Sequence, residues 1–143
     1  MAEPLSIELG DWTQLREEAT RIRFTVFVEE QKVPADIELD DWDARCLHAL
    51  ARDAQGRAVG TGRLLPDGHI GRMAVLPVAR GSGVGSALLR ALMQAARERG
   101  HAEAVLSAQT HAVPFYARHG YVTVGAVYEE AGIPHVDMRC ALT

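Results

Sequence analysis

A glycine-rich turn between an apolar segment and an amphipathic segment constrains this 143-residue chain more than any other feature. The turn follows Val75 and contains Arg80, Gly81, Gly83 and Gly85. Because glycine accepts positive φ, successive backbone N–H groups in such a turn can point into one small space. The first N–H groups of the following helix and the Arg80 guanidinium add donors that favour an anion. The turn therefore predicts a phosphate-binding loop between a strand and a helix.

Three known kinds of phosphate-binding loop could account for this turn. The spacing of their characteristic residues distinguishes them. A Walker loop needs Lys and then Ser or Thr after its last glycine, whereas Gly85 precedes Ser86 and Ala87. A dinucleotide fingerprint that begins at Gly81 needs Gly or Ala at position 86, which is Ser. Glu103 lies near the distance expected for a ribose-binding acid, so a nucleotide-binding oxidoreductase is weakened as an alternative but stays open. The third pattern, Arg-x-x-Gly-x-Gly, fits the loop.

Several segments together carry a resemblance to a known family. The pattern Arg-x-x-Gly-x-Gly, which begins at Arg80, resembles the pyrophosphate loop of the GNAT superfamily of acyl-CoA-dependent N-acyltransferases. The preceding segment 70–75 and the later run 115–121 resemble two further segments of that superfamily, in the same order. Residues 26–31, the acidic stretch after them and residues 132–135 are similar to its ElaA/YjcF-like branch. The resemblance therefore covers nearly the whole chain.

The resemblance implies an N-acetyltransferase that moves an acetyl group from its cosubstrate acetyl-CoA to a primary amine, by direct attack in a ternary complex. The strand before the loop is expected to contact the pantetheine chain through its backbone, and the loop is expected to bind the pyrophosphate. The implied pantetheine contacts are Met73, Ala74 and Val75, and the implied pyrophosphate contacts are Arg80, Gly81, Ser82, Gly83, Val84, Gly85 and Ser86. Gln109 departs from the family, in which many members have Asn seven residues before the tyrosine.

Length and composition suit one compact α/β (α+β) domain spanning residues 1–143. With 48% hydrophobic residues, the chain is long enough to bury a core of ordinary size. Periodicity predicts helices at about 12–30, 84–99 and 113–117, and strands at 6–9, 47–52, 58–65, 69–76, 104–108, 121–128 and 135–142. The early strands form an antiparallel meander, which favours a mixed, mostly antiparallel sheet flanked by helices over a Rossmann fold. The resemblance implies a sheet that splays apart at the acyl-CoA site.

Tyr116 and His135 are the candidate catalytic residues. Tyr116 follows Phe115 at the start of a helical segment, so the two rings cannot both face the core in the same way. The resemblance implies that Tyr116 faces the cofactor, where a hydroxyl stabilises a departing thiolate; a buried core tyrosine is the alternative. His135 begins the last strand on the face opposite Val136, and a neutral imidazole can accept a proton from an amine. A solvent-exposed histidine at the strand end, and His48 as a rival base, stay open.

An acidic stretch follows the first helix. Seven carboxylates lie between Glu29 and Asp43, with Lys32 as the only basic residue among them. Such a stretch is typical of a solvated loop. In the fold that the resemblance implies, it borders the acceptor pocket, where a negative rim would attract a cationic amine. Glu38 and Asp40 are the substrate-binding residues predicted from this stretch, and the solvated loop remains the alternative.

Net charge and hydropathy argue against some classes of binding partner. A net charge of −4 disfavours nucleic acid, and no apolar stretch approaches the roughly 20 residues that span a bilayer. The first residues do not resemble a secretory signal, and Cys46 and Cys140 lie too far apart for a metal-binding pair, so two buried thiols and a cytoplasmic location are expected. No metal and no acyl-enzyme nucleophile are predicted. A non-catalytic acyl-CoA-binding or sensing module is the main alternative function, and a homodimer stays open.

Overall fold

Two antiparallel β-sheets and four α-helices make up the protein in the computed structural model, which describes residues 5–143. The helices are α1 (Trp12–Arg23), α2 (Ala35–Glu38), α3 (Val84–Glu98) and α4 (Val113–Arg118). The strands are β1 (Ser6–Gly10), β2 (Leu47–Arg52), β3 (Ala58–Leu64), β4 (Ile70–Val75), β5 (Glu103–Gln109), β6 (Val122–Glu130) and β7 (Ile133–Ala141). Residues 1–4, which belong to the predicted domain and to the segment considered as a secretory signal, lie outside the described residues. Within residues 5–143, no helix has both the length and the apolar character that a membrane span requires.

Antiparallel sheets flanked by helices confirm the predicted fold class, but the strands form two sheets where the sequence predicts one mixed sheet. The first sheet has the order β1-β2-β3-β4, and the second has the order β5-β7-β6. A single parallel bridge, between His69 and Val105, joins them at the start of β4 and β5. The Val105 N–H also donates to the Gly68 carbonyl at 3.3 Å. Beyond this point the described residues of β4 and β5 do not pair with each other. The two sheets therefore separate toward the ends of β4 and β5.

The N-terminal helical segment begins as predicted and changes its hydrogen bonding along its length. Asp11 and Gln14 form a capping box at the start of α1, with the Gln14 N–H 2.8 Å from the Asp11 carboxylate. After α1 the chain continues as a π-helix over Phe24–Glu30. The sequence predicts no helix between residues 31 and 43, which is wrong in part, because this stretch contains α2 and leads into a 3₁₀ turn at Asp43–Arg45. π-helical turns are rare and often occur at functional sites.

α3 carries the apolar face that the sequence predicts, and this face packs across the first sheet. Its buried side chains are Val84, Leu88, Leu89, Leu92, Met93, Ala95 and Ala96. Gly60 on β3 lets the helix approach closely, because a Cβ at this position would lie 2.8 Å from Val84 Cγ1. Gly60 pairs with Val75, the last residue of β4. This contact therefore fixes the start of α3 beside the end of β4.

The second sheet has one buried face and one polar face. The buried side chains at the end of the chain are Val136, Met138, Cys140 and Leu142, as the alternation along the last strand predicts. His135 lies on the other face and pairs with Gln109 on β5 and with Tyr128 on β6. Directly opposed residues of antiparallel strands point to the same side of a sheet. Polar side chains from all three strands therefore share one face.

Candidate active site

A cleft of about 660 Å³ lies between the diverging strands β4 and β5. Among the residues predicted from the sequence, its wall includes Glu38, Met73, Ala74, Val75, Arg80, Tyr116 and His135. Asp40 and the loop residues 81–86 are not part of the wall. The structure thus brings both candidate catalytic residues and the three residues at the end of β4 into one cavity, with the glycine-rich loop adjoining it through Arg80.

The glycine-rich loop presents a row of free backbone donors. Gly81 and Gly83 have φ values of 81° and 87°, a left-handed conformation that favours glycine. α3 begins directly after them, at Val84, and has no side-chain cap at its N-terminus. Among residues 5–143, no group accepts a hydrogen bond from the backbone N–H groups of residues 81–86. Unpaired donors at a helix N-terminus fit a pyrophosphate.

Gly85, the third glycine of the loop, allows Phe115 to pack closely against α3. Gly85 is helical, and a Cβ there would lie 3.3 Å from Cζ of Phe115. The prediction that all three glycines provide positive φ is therefore wrong for Gly85. Ser86, the next predicted pyrophosphate contact, has its Oγ 2.9 Å from Nε2 of His119. Phe115 packs against α3, whereas Tyr116, one residue later, lines the cleft.

A β-bulge interrupts β4 on the cleft wall. The pairing of β3 with β4 shifts between Thr61 and Arg63, where Arg72 and Met73 together oppose one residue of β3. Arg72 has a φ of 50°, which is uncommon for a residue other than glycine. In the described chain, the edge of β4 that faces away from β3 has no partner strand over 70–75, so an extended ligand can pair with it. No sequence pattern marks this bulge.

The Tyr116 hydroxyl is free to interact with a ligand. Its ring packs edge-on against Phe115 and Tyr121, with centroid distances of 5.1 and 5.9 Å. In the part of the chain that the structure describes, no group forms a hydrogen bond with this hydroxyl. Burial raises the pKa of Tyr116 to about 12. The phenol therefore stays protonated at neutral pH and can donate a hydrogen bond.

The contacts of His135 fix its tautomer. Nδ1 lies 2.7 Å from the carbonyl oxygen of Ile133, which can only accept, so Nδ1 carries the hydrogen. In the neutral ring Nε2 then has a free lone pair. The side chain is 9% exposed, and Nε2 has no hydrogen-bond partner among the described residues, since Glu130 Oε2 is 3.9 Å away. His135 therefore presents a proton acceptor on the cleft wall that has no hydrogen-bond partner among the described residues.

The acidic stretch does not form the free negative rim that the sequence predicts. Three of its carboxylates belong to an ion cluster with three arginines from other elements. The members of this ion cluster are Arg23, Arg63, Arg72, Glu38, Asp40 and Asp43. The Arg23 Nε lies 2.9 Å from Glu38 Oε2, and its Nη1 lies 2.7 Å from Asp43 Oδ1. The prediction is wrong because counting charges along the sequence omits arginines that α1, β3 and β4 supply.

Neither predicted substrate carboxylate is available as a free anion. Glu38 is 3% exposed, and burial raises its pKa, against the opposing influence of Arg23 and Arg72. Asp40 accepts two hydrogen bonds from Arg63, at 2.8 and 3.0 Å, which hold the pKa of its carboxyl below its usual range. Glu38 and Asp40 therefore anchor the segment beside the cleft to the first sheet and do not offer unpaired charge to a substrate.

The alternative base, His48, also belongs to this region. It is buried, its Nε2 lies 2.8 Å from the Asp43 carbonyl oxygen, and its ring centroid lies 4.7 Å from that of Trp12. Burial lowers the pKa of His48. Because His48 is not on the cleft wall, its contacts indicate a structural role, and His135 is the one of these two candidates that lines the cleft.

The cleft also contains Ser107 and Glu130, which the sequence analysis misses, and Gln109, which it names only as a departure from the family. Gln109 Nε2 donates to Gln31 Oε1 at 2.7 Å and so joins the end of β5 to the segment after the π-helix. Ser107 on β5 and Glu130 at the end of β6 also line the cleft. Gln31 and Gln109 are 78 residues apart, and no local pattern relates them. Only the alternation of Ser107 and Gln109 with the buried residues Leu106 and Ala108 could indicate that they share a face.

Known proteins share this architecture. A family profile described as Acetyltransferase (GNAT) domain matches residues 14–142. The chain is 41% identical over 125 residues to a Bacillus subtilis protein named Uncharacterized N-acetyltransferase YjcF, covering 85% of this chain and 89% of that one. An acyl-CoA N-acyltransferase structure from Pseudomonas aeruginosa is 34% identical with a TM-score of 0.86, covering 96% of this chain and 100% of that one. Escherichia coli ElaA is 27% identical with a TM-score of 0.84, covering 96% and 99%. The chain belongs to the GNAT acetyltransferase family.

Proposed function

We propose that this protein transfers an acetyl group from acetyl-CoA directly to a primary amine. Membership in the GNAT family supports acyl-CoA-dependent acyl transfer in general. The observation that carries the proposal is the single cleft whose wall includes Arg80, Tyr116 and His135. An anion-binding group and an unpaired proton acceptor in one cavity suit a ternary complex, in which the amine attacks without prior acylation of the protein.

The glycine-rich loop and the edge of β4 form the proposed acyl-CoA site. The free N–H groups of residues 81–86 and the Arg80 guanidinium suit the pyrophosphate. Arg80 Nε donates to the Val75 carbonyl at 2.9 Å, which holds the guanidinium beside the end of β4. The open edge at Met73–Val75 suits the extended pantetheine chain. When bound, the thioester supplies the activated acyl carbon that the amine attacks.

His135 is the proposed proton acceptor. An amine is protonated at neutral pH and cannot attack until one proton leaves its nitrogen. Nε2 of His135 takes this proton, and the ring keeps its Nδ1 hydrogen on the Ile133 carbonyl. The amine nitrogen then bonds to the acyl carbon, the carbon–sulfur bond breaks, and the nitrogen loses a second proton to the thiolate. The products are an amide, free thiol and one proton, which His135 releases to solvent.

Tyr116 is the proposed partner of the departing thiolate. Its hydroxyl is protonated at neutral pH and has no competing partner among residues 5–143. A hydrogen bond that forms as negative charge develops on sulfur lowers the barrier without tightening the binding of the thioester. This role predicts an effect of Tyr116 on kcat and not on cofactor affinity.

Turnover of acetyl-CoA with a panel of primary amines tests the proposed function. We expect amine-dependent release of free thiol, matched by an equal amount of acetylated amine in mass spectrometry. Binding of CoA without thiol release from any amine would favour the non-catalytic acyl-CoA module. Binding of NAD(P) in place of CoA would favour the oxidoreductase. Either outcome would overturn the proposal.

A second measurement tests the proposed acyl-CoA site separately from acetyl transfer. Calorimetry with CoA should show binding about 10- to 100-fold weaker for Arg80→Ala, because hydrogen bonds to charged groups contribute about 1.5–3 kcal/mol. Arg99→Ala is the matched control, since Arg99 is an exposed arginine at the opposite end of α3. Equal affinities for wild type and Arg80→Ala would remove Arg80 from the pyrophosphate site.

A further inference from the structure

The polar face of the second sheet offers hydrogen-bond acceptors to the cleft. Ser107 pairs with Asp137 across β5 and β7, and Tyr128 pairs with His135 across β6 and β7. The Tyr128 hydroxyl donates to the Asp137 carboxylate at 2.7 Å, because an ionised carboxylate only accepts. A phenol has one hydrogen, so Ser107 donates the hydrogen bond that joins it to Tyr128. Ser107 lines the cleft, and its hydroxyl oxygen can therefore only accept a hydrogen bond from a ligand.

Glu130 and His135 add two more acceptors to this wall. The Glu130 side chain is 55% exposed, and its Oε2 lies 3.9 Å from the unpaired Nε2 of His135. Within the described chain, no lysine or arginine forms an ion pair with Glu130. Two acceptors at this separation can both bind one nitrogen at about 2.8 Å from each. A primary ammonium, with three N–H donors, matches such a site.

The turn between β6 and β7 holds these two groups together. Ala131 and Gly132 have φ values of 53° and 76°, the left-handed pair that closes a two-residue hairpin. This turn places Glu130 opposite Ile133, the residue whose carbonyl fixes the His135 tautomer. The relative position of the carboxylate and the imidazole is thus set by backbone pairing and not by flexible side chains alone.

We infer that Glu130 and His135 together capture the ammonium group of the acceptor, and that the acceptor is a primary alkylamine without a carboxylate beside its amino group. This inference rests on the proposed function. Glu130, with Asp137 further along the same hairpin, disfavours an anion at this end of the cleft. Of the arginines on the cleft wall, Arg63 and Arg72 are already bound by carboxylates of the ion cluster, and Arg80, which is paired with Glu30, is assigned to the pyrophosphate. The captured ammonium gives one proton to Nε2 and, as the carbon–nitrogen bond forms and the carbon–sulfur bond breaks, a second to the thiolate.

Three amines with the same alkyl chain test the substrate class. n-Butylamine, norvalinamide and norvaline differ only in the hydrogen, carboxamide or carboxylate on the carbon that bears the amino group. With acetyl-CoA as donor, we expect kcat/KM for norvaline about 100-fold or more below that for n-butylamine, because like charges at a binding site are strongly disfavoured. Norvalinamide, which has the size of norvaline without its charge, should stay within about tenfold of n-butylamine.

Glu130→Gln separates ammonium binding from proton transfer. The variant keeps the size of the side chain and removes its charge at an exposed position. We expect KM for n-butylamine to rise about 10- to 100-fold, kcat to change by less than about threefold, and the discrimination against norvaline to fall about tenfold. Glu129→Gln is the matched control, because it makes the same charge change at an exposed neighbour outside the cleft wall, and its KM should equal that of wild type. Comparing ratios between variants cancels the different intrinsic reactivities of the three amines.

Several outcomes would overturn the inference while leaving amine acetylation intact. These are equal kcat/KM for norvaline and n-butylamine, the same rise in KM for Glu129→Gln, or a fall in kcat at unchanged KM for Glu130→Gln, which would mean that Glu130 acts on His135 and not on the ammonium. If the enzyme consumes acetyl-CoA with other amines but acetylates none of these three, the assigned class is wrong. If no amine supports thiol release, the proposed function fails as well.

Discussion

The carboxylate of Glu30 binds both terminal nitrogens of Arg80, with Oε2 2.8 Å from Nη1 and Oε1 2.7 Å from Nη2. Glu30 is the last residue of the π-helix, and Arg80 is the proposed pyrophosphate ligand. A carboxylate and a phosphate present similar oxygen pairs to a guanidinium. Glu30 therefore occupies the donors of Arg80 that an anionic ligand would use, and the two anions compete for one arginine.

Glu30→Gln should tighten CoA binding. The substitution removes the competing charge, and because exposed ion pairs contribute about 0–1 kcal/mol, we expect Kd to fall by about two- to fivefold in calorimetry. Glu29→Gln makes the same change in net charge at an exposed neighbour and should leave Kd as in wild type. Weaker binding by Glu30→Gln would mean that Glu30 positions Arg80 for the ligand, and equal tightening by both variants would point to net charge alone.

Tyr116→Phe should slow the chemical step. The substitution keeps the ring and deletes one hydroxyl, so we expect kcat to fall about 10- to 1000-fold with little change in CoA affinity. Since burial raises the pKa of Tyr116 to about 12, this loss should be constant between pH 7 and about 10. Tyr121→Phe is the control, because its hydroxyl likewise has no hydrogen-bond partner among the described residues but lies outside the cleft wall. Full activity of Tyr116→Phe would remove this tyrosine from the mechanism.

Arg23→Met should destabilise the fold. Methionine keeps much of the length of the side chain but removes the charge between Glu38 and Asp43. Arg23 is 1% exposed, so we expect the free energy of unfolding to fall by about 3–5 kcal/mol, the usual cost of leaving buried charges uncompensated. Urea denaturation followed by tryptophan fluorescence measures this change. Arg57→Met, which removes a surface contact with Asp53, should leave the midpoint close to wild type, and equal midpoints for all three proteins would contradict the prediction.

Proton uptake at His48 on unfolding should lower the stability of the fold in mild acid. Burial lowers the pKa of His48 below its ordinary 6.5, so the unfolded chain takes up the proton first as pH falls. The stability that His48 contributes is therefore complete above pH 6.5 and declines below it, with a slope no greater than about 1.4 kcal/mol per pH unit for one proton. Urea unfolding between pH 5 and about 8 should show a smaller slope for His48→Gln than for wild type. His111→Gln, which replaces an exposed imidazole, should keep the wild-type slope, and the same slope in His48→Gln would refute the assignment.

Local patterns predict the elements whose causes lie within a few residues of each other. The Asp11–Gln14 capping box, the apolar face of α3 and the left-handed residues Gly81 and Gly83 all depend on neighbours along the chain. Capping, helical periodicity and turn conformation act over one or two turns, so the sequence is sufficient to predict them. The same reasoning is wrong for Gly85, which lies inside α3 and whose missing Cβ makes room for Phe115 from another helix.

The sequence by itself determined the strand–loop–helix arrangement that presents free N–H groups at residues 81–86, and the alternation that leaves His135 on the face opposite Val136. Only the tertiary structure decided which carboxylates are neutralised. Glu38 is bound by arginines from α1 and β4, whereas Glu130 reaches the cleft beside His135 without a lysine or arginine partner in the described chain. Which charges meet depends on strand register and helix packing between residues far apart in the chain, and neither is encoded in the charge pattern of a single segment.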